Sequence, residues 1–448
     1  MGYMEINEPM MITMTDTTLY GAGEHTTSTD TEPSFAYDMG GADEAADEES
    51  LPMSAPSYKE LDTTYIAYTY GRFDVCFEKG DGVLLYDTTG KEYIDLGSGI
   101  GVTAFGSGDA LWQQAVIHQV KRLNHVSNLY HTLPQATLAE KLCQKTGMKK
   151  VFFSNSGAEA NECAIKAARK YSADRYGDER TTVVTLVNSF HGRTITTLAA
   201  TGQDVFHQHF HPFTKGFAHV PANDFDAFKQ LVDSDSSICA IMMEMIQGEG
   251  GVMPLDAGYV KQVADYAAAH DILVVVDEVQ TGNGRTGTLY SYMQFGIAPD
   301  IVSTAKGLAG GLPMGATMFN DKTEDVLDAG SHGSTFGGNP ICAAGAISVI
   351  DRIDDALLSE VKAKGQYIRE ALTGAPGVLS ISGMGLMVGI ETTADAKAIA
   401  KECLNRGVVV LTAKNKVRLL PALNIPGDTL EKAVGVLKEV IGEMAEER

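Results

Sequence analysis

The chain of 448 residues has no run of about 18 apolar residues, so its sequence offers no membrane-spanning helix. Close cysteine pairs are missing too. Six cysteines, at positions 76, 143, 163, 239, 342 and 403, stand apart with no CxxC, which argues against a disulfide framework and against a zinc site. A reducing, cytoplasmic setting and no bound metal are expected. Positive charge is scarce: 35 Lys and Arg against 58 Asp and Glu leave a net charge of −23, and nucleic acid is not an expected partner. Residues 1–57 hold no Lys or Arg but twelve Asp and Glu. That stretch is expected to be an acidic tail, disordered or loosely attached, without chemistry of its own. It has neither the basic and apolar blocks of a signal peptide nor the Arg-rich character of a mitochondrial presequence. No internal repeat is visible.

Apolar residues make up 44% of the chain, ordinary for a globular protein, and the length suits two or three domains. From residue 58 onward short apolar runs alternate with helical stretches. VFF (151–153), TTVVTLV (181–187), CAIMMEMI (239–246), ILVVV (272–276), DIVST (300–304) and GATMF (315–319) read as strands, and AEANECAIKAARKY (158–171) and GYVKQVADYAAAH (258–270) as helices. Continuous apolar strands between helices predict an α/β fold with a mainly parallel sheet covered on both faces. After residue 340 strands become fewer (LMVGI, VVVLT, KVRLL), which predicts a smaller α+β domain. The expected organisation is a tail over 1–57, a first part of the small domain over 58–110, a large domain over 111–339 and the rest of the small domain over 340–448.

Ligands of open α/β sheets bind beyond the carboxyl ends of the strands, so residues just after each strand carry the information. SNSGAEANE follows the first run. Ser156, Gly157 and Ala158 sit at a helix start, where free N–H groups and the helix dipole attract an anion, although a serine there is more often only a cap. NSFHGRT follows the second run. Phe190 and Arg193 together suit a flat ring and a carboxylate. Asp277 and Glu278 follow ILVVV, and an unpaired acid at the mouth of a buried strand needs a partner. Lys306 is the single charge in IVSTAKGLAGGLPMGATMFN. A lysine there either reaches out to water or is bonded to something that removes its charge. Pyridoxal 5'-phosphate answers all four features. It takes a lysine for a Schiff base, an acid against its ring nitrogen, side chains on both ring faces and a donor cradle for its phosphate.

FFSNSGAEANE, NSFHGRT, IQGEGGV, VVVDEVQTGNGRTG, STAKGLAGGLPMG and HGSTFGGNP occur in this order and spacing, and with them the chain resembles the class III aminotransferases, most of all those of acetylornithine type. The resemblance runs from about residue 65 to the C-terminus. It implies Lys306 as the Schiff-base lysine and proton shuttle, and Asp277 as partner of the ring nitrogen. Val279 and Phe190 would pack the ring, Gln280 would bond its hydroxyl, and Glu278 would belong to the cofactor site. Ser156, Gly157 and Ala158 would cradle the phosphate, joined by Thr335 from a neighbouring subunit, hence a homodimer. Arg193 is implied as the clamp for a substrate carboxylate, Ser334 as a substrate contact, and Glu249 with Arg418 as a switch that masks an arginine between half-reactions. The reaction so implied moves the distal amine of N-acetylornithine to 2-oxoglutarate in two ping-pong halves. Ornithine, succinylornithine and 4-aminobutyrate remain alternative donors, and an aminomutase or a silent binding protein of the same fold are the rivals. Two departures stand out: Glu244-Met245-Ile246-Gln247 where the family has Glu-Pro-Ile-Gln, and Asn283 where it has GIGRTG. Neither touches the expected cofactor residues.

Overall fold

The computed structural model describes residues 57–446, so the acidic tail expected over 1–57 lies outside the described residues except for Ser57. The chain divides into two compact units at Ala67–Tyr68. In the first, the described part is the helix Tyr58–Tyr65, opened by a capping box in which Ser57 and Glu60 satisfy each other's backbone N–H.

The second unit is built on a seven-stranded sheet. Its strands lie in the order Lys150–Ser154, Gly315–Phe319, Ile301–Thr304, Leu273–Asp277, Ile238–Met243, Thr182–Leu186, Phe217–Val220. Every pair is parallel except the two made by Gly315–Phe319. All five residues of Leu273–Asp277 are buried. Leu273 and Val275 join one apolar cluster with Cys163, Ala164 and Ala167 of the helix Gly157–Tyr176. Val274 and Val276 join the other with Val260 and Val263 of the helix Ala257–Ala269. The period of two along a strand buried on both faces explains the unbroken apolar run. Alanines on the inner face of Gly157–Tyr176 let that helix lie close to the sheet.

The same unit contains further sheets. Phe77–Asp81, Leu84–Asp87 and Glu92–Asp95 form an antiparallel set extended by Val408–Val409, which pairs parallel to Glu92–Asp95. Val378–Met384, Met387–Thr392, Lys416–Leu419 and Leu411–Ala413 form an antiparallel sheet. Among the described residues no helix is long and apolar enough to cross a membrane.

Candidate active site

A cavity of about 440 Å³ opens where the parallel strands end. That is large enough for a cofactor-sized molecule. Asp277 closes the strand Leu273–Asp277, and Lys306 follows the adjacent parallel strand Ile301–Thr304 by two residues. Both line the cavity. Lys306 has a left-handed backbone, φ 45°, a conformation that costs a non-glycine residue roughly 1–2 kcal/mol. The turn is held from behind. Asn283, itself at φ 56°, donates its side-chain N–H to Thr304 Oγ1 and to the Ala305 carbonyl, both at 3.0 Å. So Asn283, a departure from the family pattern, sits outside the cavity lining but fixes the backbone next to Lys306. Burial pushes the Lys306 amine pKa down; Glu249 and Asp277 oppose the shift and Arg418 adds to it.

Asp277 is 3% exposed and fully engaged. Oδ2 accepts from Asn161 Nδ2 at 2.7 Å and from His191 Nδ1 at 2.8 Å, and Oδ1 accepts from Val279 N at 3.0 Å. Burial works against a charged His191. Its hydrogen bond to Asp277, with the charges of Asp277 and Glu244, outweighs burial and raises its pKa. Asn161 is positioned in turn by Ser303 Oγ, which donates to its Oδ1 at 2.5 Å.

At the far wall the helix Gly157–Tyr176 begins. Ser156 caps it, accepting from Glu159 N at 3.2 Å. Ser156, Gly157 and Ala158 line the cavity, so the free N–H groups of a helix start face it. The sequence motivates Gly157 by close approach of a phosphate; the packing adds a second reason. A Cβ there would stand 2.5 Å from Val279 Cγ1. Val279 and Phe190 line the cavity as well. Gly192, φ 143°, lets the 188–193 loop pass the helix start, since a Cβ would meet Thr197 Oγ1 at 2.5 Å. The loop thus presents Arg193 at the cavity. Its guanidinium lies 4.3 Å from the Phe206 ring centroid and 5.4 Å from that of Phe190. Among the described residues it makes no ion pair.

Gln280 lines the cavity and joins two further groups. It donates to Glu249 Oε1 at 3.3 Å, while Arg418 Nη1 donates to its Oε1 at 3.1 Å. Arg418 and Glu249 are themselves paired at 2.5 Å. Burial raises the Glu249 pKa, but the charge and hydrogen bond of Arg418 overcome it and leave the net shift downward.

Five sequence candidates fall outside the cavity lining: Glu249 and Arg418, which reach it through Gln280, and Glu278, Ser334 and Thr335. The Glu278 carboxylate is fully buried and accepts from Thr281 Oγ1 at 2.5 Å, Ser291 Oγ at 2.7 Å and Tyr292 N at 2.8 Å. It ties the 281–292 loop to the sheet, and burial, opposed by those bonds, raises its pKa. Ser334 lies one residue behind the wall, accepting from Asn155 Nδ2 at 3.2 Å. Thr335 is exposed. Conversely, Asn161, His191 and Glu244 line the cavity without having been singled out as site residues. All three stand inside the stretches SNSGAEANE, NSFHGRT and CAIMMEMI, but nothing in the sequence pairs them with the site.

The residues fit pyridoxal 5'-phosphate: an amine, a carboxylate, side chains for two ring faces and a helix start converge on one cavity of suitable size. The comparisons with known proteins agree. Residues 65–441 match the family Aminotransferase class-III. An acetylornithine aminotransferase of Haemophilus ducreyi is 52% identical over 394 residues, 88% of this chain and 100% of that one. One of Aquifex aeolicus is 42% identical over 381 residues, 84% of this chain and 100% of that one. Among solved structures, the N-acetylornithine aminotransferase of Stenotrophomonas maltophilia superposes with a TM-score of 0.74 at 32% identity, covering 87% of this chain and 99% of that one. The ornithine aminotransferase of Toxoplasma gondii, described with partial occupancy of PLP at its active site, reaches 0.83 at 28% identity, covering 88% and 96%. With its lysine and aspartate at neighbouring strand ends and a match over most of its length, the chain belongs to the class III aminotransferases.

Proposed function

We propose that this protein is a pyridoxal-phosphate-dependent aminotransferase that moves the distal amine of N-acetylornithine to 2-oxoglutarate. The products are N-acetylglutamate semialdehyde and glutamate, a step of arginine biosynthesis. The observation that carries the reaction class is the convergence of the Lys306 amine and the Asp277 carboxylate, from adjacent strands, on one cavity. The donor rests on the relatives named acetylornithine aminotransferase.

In this reading Lys306 and Asp277 would hold the cofactor, Val279 and Phe190 would pack its ring, and Ser156, Gly157 and Ala158 would cradle its phosphate. When bound, the cofactor withdraws electrons from the substrate carbon that carries the amine. Asp277 supplies a negative charge at the ring nitrogen, and His191 and Asn161 hold that carboxylate in place. Lys306 Nζ, its pKa lowered by burial, is the base that takes a proton from the substrate carbon. Arg193 clamps the α-carboxylate of the donor. Arg418 stays paired with Glu249 during that half-reaction and serves the α-carboxylate of the oxo acid once Glu249 lets go. An aminomutase, which handles one molecule, has no need of such a pair, and Glu249 and Arg418 stand paired here.

The working unit in this proposal is a homodimer in which Thr335 reaches the partner's phosphate site. Two loops and the start of the helix Leu133–Thr146 expose apolar side chains: Leu129 at 87%, Phe336 at 60% and Leu133 at 77% exposure. Asn128 clamps these loops together, donating to the carbonyls of Ser334 at 2.9 Å and Gly337 at 2.8 Å.

The test is steady-state turnover of N-acetylornithine, ornithine, succinylornithine and 4-aminobutyrate with 2-oxoglutarate. No described acid pairs with Arg193, so a free α-ammonium beside the clamp would lose hydration without compensation. One unpaired polar contact is worth about 1–3 kcal/mol, or roughly a 5- to 150-fold preference in kcat/KM for the acetylated donor. A ratio at or below one would replace the donor by ornithine, a reading favoured by the similarity to ornithine aminotransferases.

A further inference from the structure

Glu244 directly follows the strand Ile238–Met243 and is 5% exposed. Its two oxygens do different jobs. Oε1 accepts from Phe190 N at 2.9 Å, and Oε2 accepts from Gly248 N at 3.1 Å. Phe190 belongs to the 188–193 loop that carries Arg193. Gly248 opens the turn that carries Glu249. The two loops abut: a Cβ on Gly250 would stand 2.8 Å from the Asn188 carbonyl oxygen, and Gln247 Nε2 donates to the Val187 carbonyl at 2.9 Å. One buried carboxylate therefore fastens the backbones of the loops that carry Arg193 and Glu249.

We propose that Glu244 is a positioning residue that sets the spacing between the Arg193 clamp and the Glu249–Arg418 pair, and so governs the affinity for both substrates. The proposal rests on the aminotransferase reading given above. Its chemistry is specific to a carboxylate. An ionised carboxyl accepts strongly at both oxygens; an amide accepts at one and turns an N–H toward a second N–H at the other. Protonation weakens the pair of bonds, because the neutral acid is a poorer acceptor and its O–H hydrogen occupies one side of an oxygen. Burial lifts the Glu244 pKa to about 7, with His191 opposing and Asp277 adding to the shift, and Lys306 also feels its charge. The double tether is thus strongest above that pH and weakens as pH falls through it.

The test compares the parent holoenzyme with Glu244→Gln. The variant should raise KM for the amine donor and for the oxo acid about tenfold at pH 8, the effect of one unsatisfied buried donor. The visible cofactor absorbance should stay as in the parent, and KM should lose its rise on the acid side of pH 7. Amide hydrogen exchange, followed by mass spectrometry without substrate, should quicken in peptides covering 188–194 and 246–252. Unchanged exchange in both peptides overturns the proposal, as do KM values within twofold of the parent across pH 6–8. Should Glu244→Gln fail to fold, Glu244→Asp tests the same point, since its shorter side chain cannot reach both amides and should quicken exchange in one peptide. The exchange measurement needs no turnover. It judges the tether even if the parent proves inactive on N-acetylornithine, which would count against the donor alone.

Discussion

Nδ1 of His191 lies 2.8 Å from Oδ2 of Asp277, and neither side chain is more than 3% exposed. Nε2 of the same ring has no hydrogen-bond partner, so the geometry assigns the Nδ1 proton to Asp277. The folded-state pKa of His191 is raised above its ordinary 6.5. A raised pKa means that the stability from protonation is fully present below pH 6.5 and is lost as pH rises through the folded value. His191→Gln should therefore lower the melting temperature most below pH 6.5, with the gap to the parent narrowing toward alkaline pH. A gap that does not change with pH would show that His191 stays neutral throughout.

Lys306→Ala removes the amine at the end of the Ile301–Thr304 strand. Loss of a positioned base typically costs about 10²–10⁴-fold in rate, and here the attachment point for the cofactor goes with it. Turnover should fall by at least that factor. Borohydride, which should fix a chromophore to Lys306 in the parent, should label nothing in the variant. Normal turnover by the variant would refute the role given to Lys306.

Much of this was legible in the sequence, and the failures have physical causes. The run ILVVV announced its strand because burial on both faces needs apolar side chains at every position. Phe217–Val220, at the sheet edge, escaped notice: it is four residues long, two of them half-buried, and its third residue is the exposed His219. The antiparallel setting of Gly315–Phe319 was not legible either, because an apolar run carries no direction. Asp277 and Lys306 stood out as charges in apolar surroundings. Asn161 did not, because its partner Asp277 is 116 residues away and only the fold brings them together. Asp277 and Glu278 look alike in sequence, yet only Asp277 lines the cavity, while Glu278 turns to Ser291 and Tyr292.

Gly157→Ala should weaken cofactor binding. The new Cβ would lie 2.5 Å from Cγ1 and 2.9 Å from Cγ2 of Val279. A β-branched side chain has little rotamer freedom with which to move aside. Overpacking of this kind costs about 1–3 kcal/mol. Equilibrium dialysis should show a roughly 5- to 150-fold loss of affinity for pyridoxal phosphate, with a lower melting temperature. Recovery of affinity in the double variant Gly157→Ala, Val279→Ala would assign the loss to this contact. Failure of Val279→Ala to restore any affinity would place the cause elsewhere.

Glu249→Ala should change which donor the enzyme prefers. Arg418 is 3% exposed, its Nε has no partner, and its charge is met at Nη1 by Glu249 at 2.5 Å and by Gln280 at 3.1 Å. Without Glu249 the guanidinium keeps only the neutral amide. A buried cation so left is destabilising by up to about 3–5 kcal/mol, less here because Glu249 is partly exposed, with 28% of its side chain accessible. A ligand carboxylate can recover part of that cost. Donors with a free α-carboxylate next to the reacting amine, such as glutamate, should gain relative to N-acetylornithine by at least tenfold in kcat/KM, equivalent to about 1.4 kcal/mol. The melting temperature should fall, and 2-oxoglutarate should restore more of it in the variant than in the parent. Glu249→Gln separates charge from shape. It keeps a hydrogen-bond acceptor for Arg418 but no negative charge, so its donor preference should lie between parent and Glu249→Ala. If both variants lose stability but neither shifts toward glutamate, Glu249 and Arg418 form a structural pair, and another cation must receive the oxo acid.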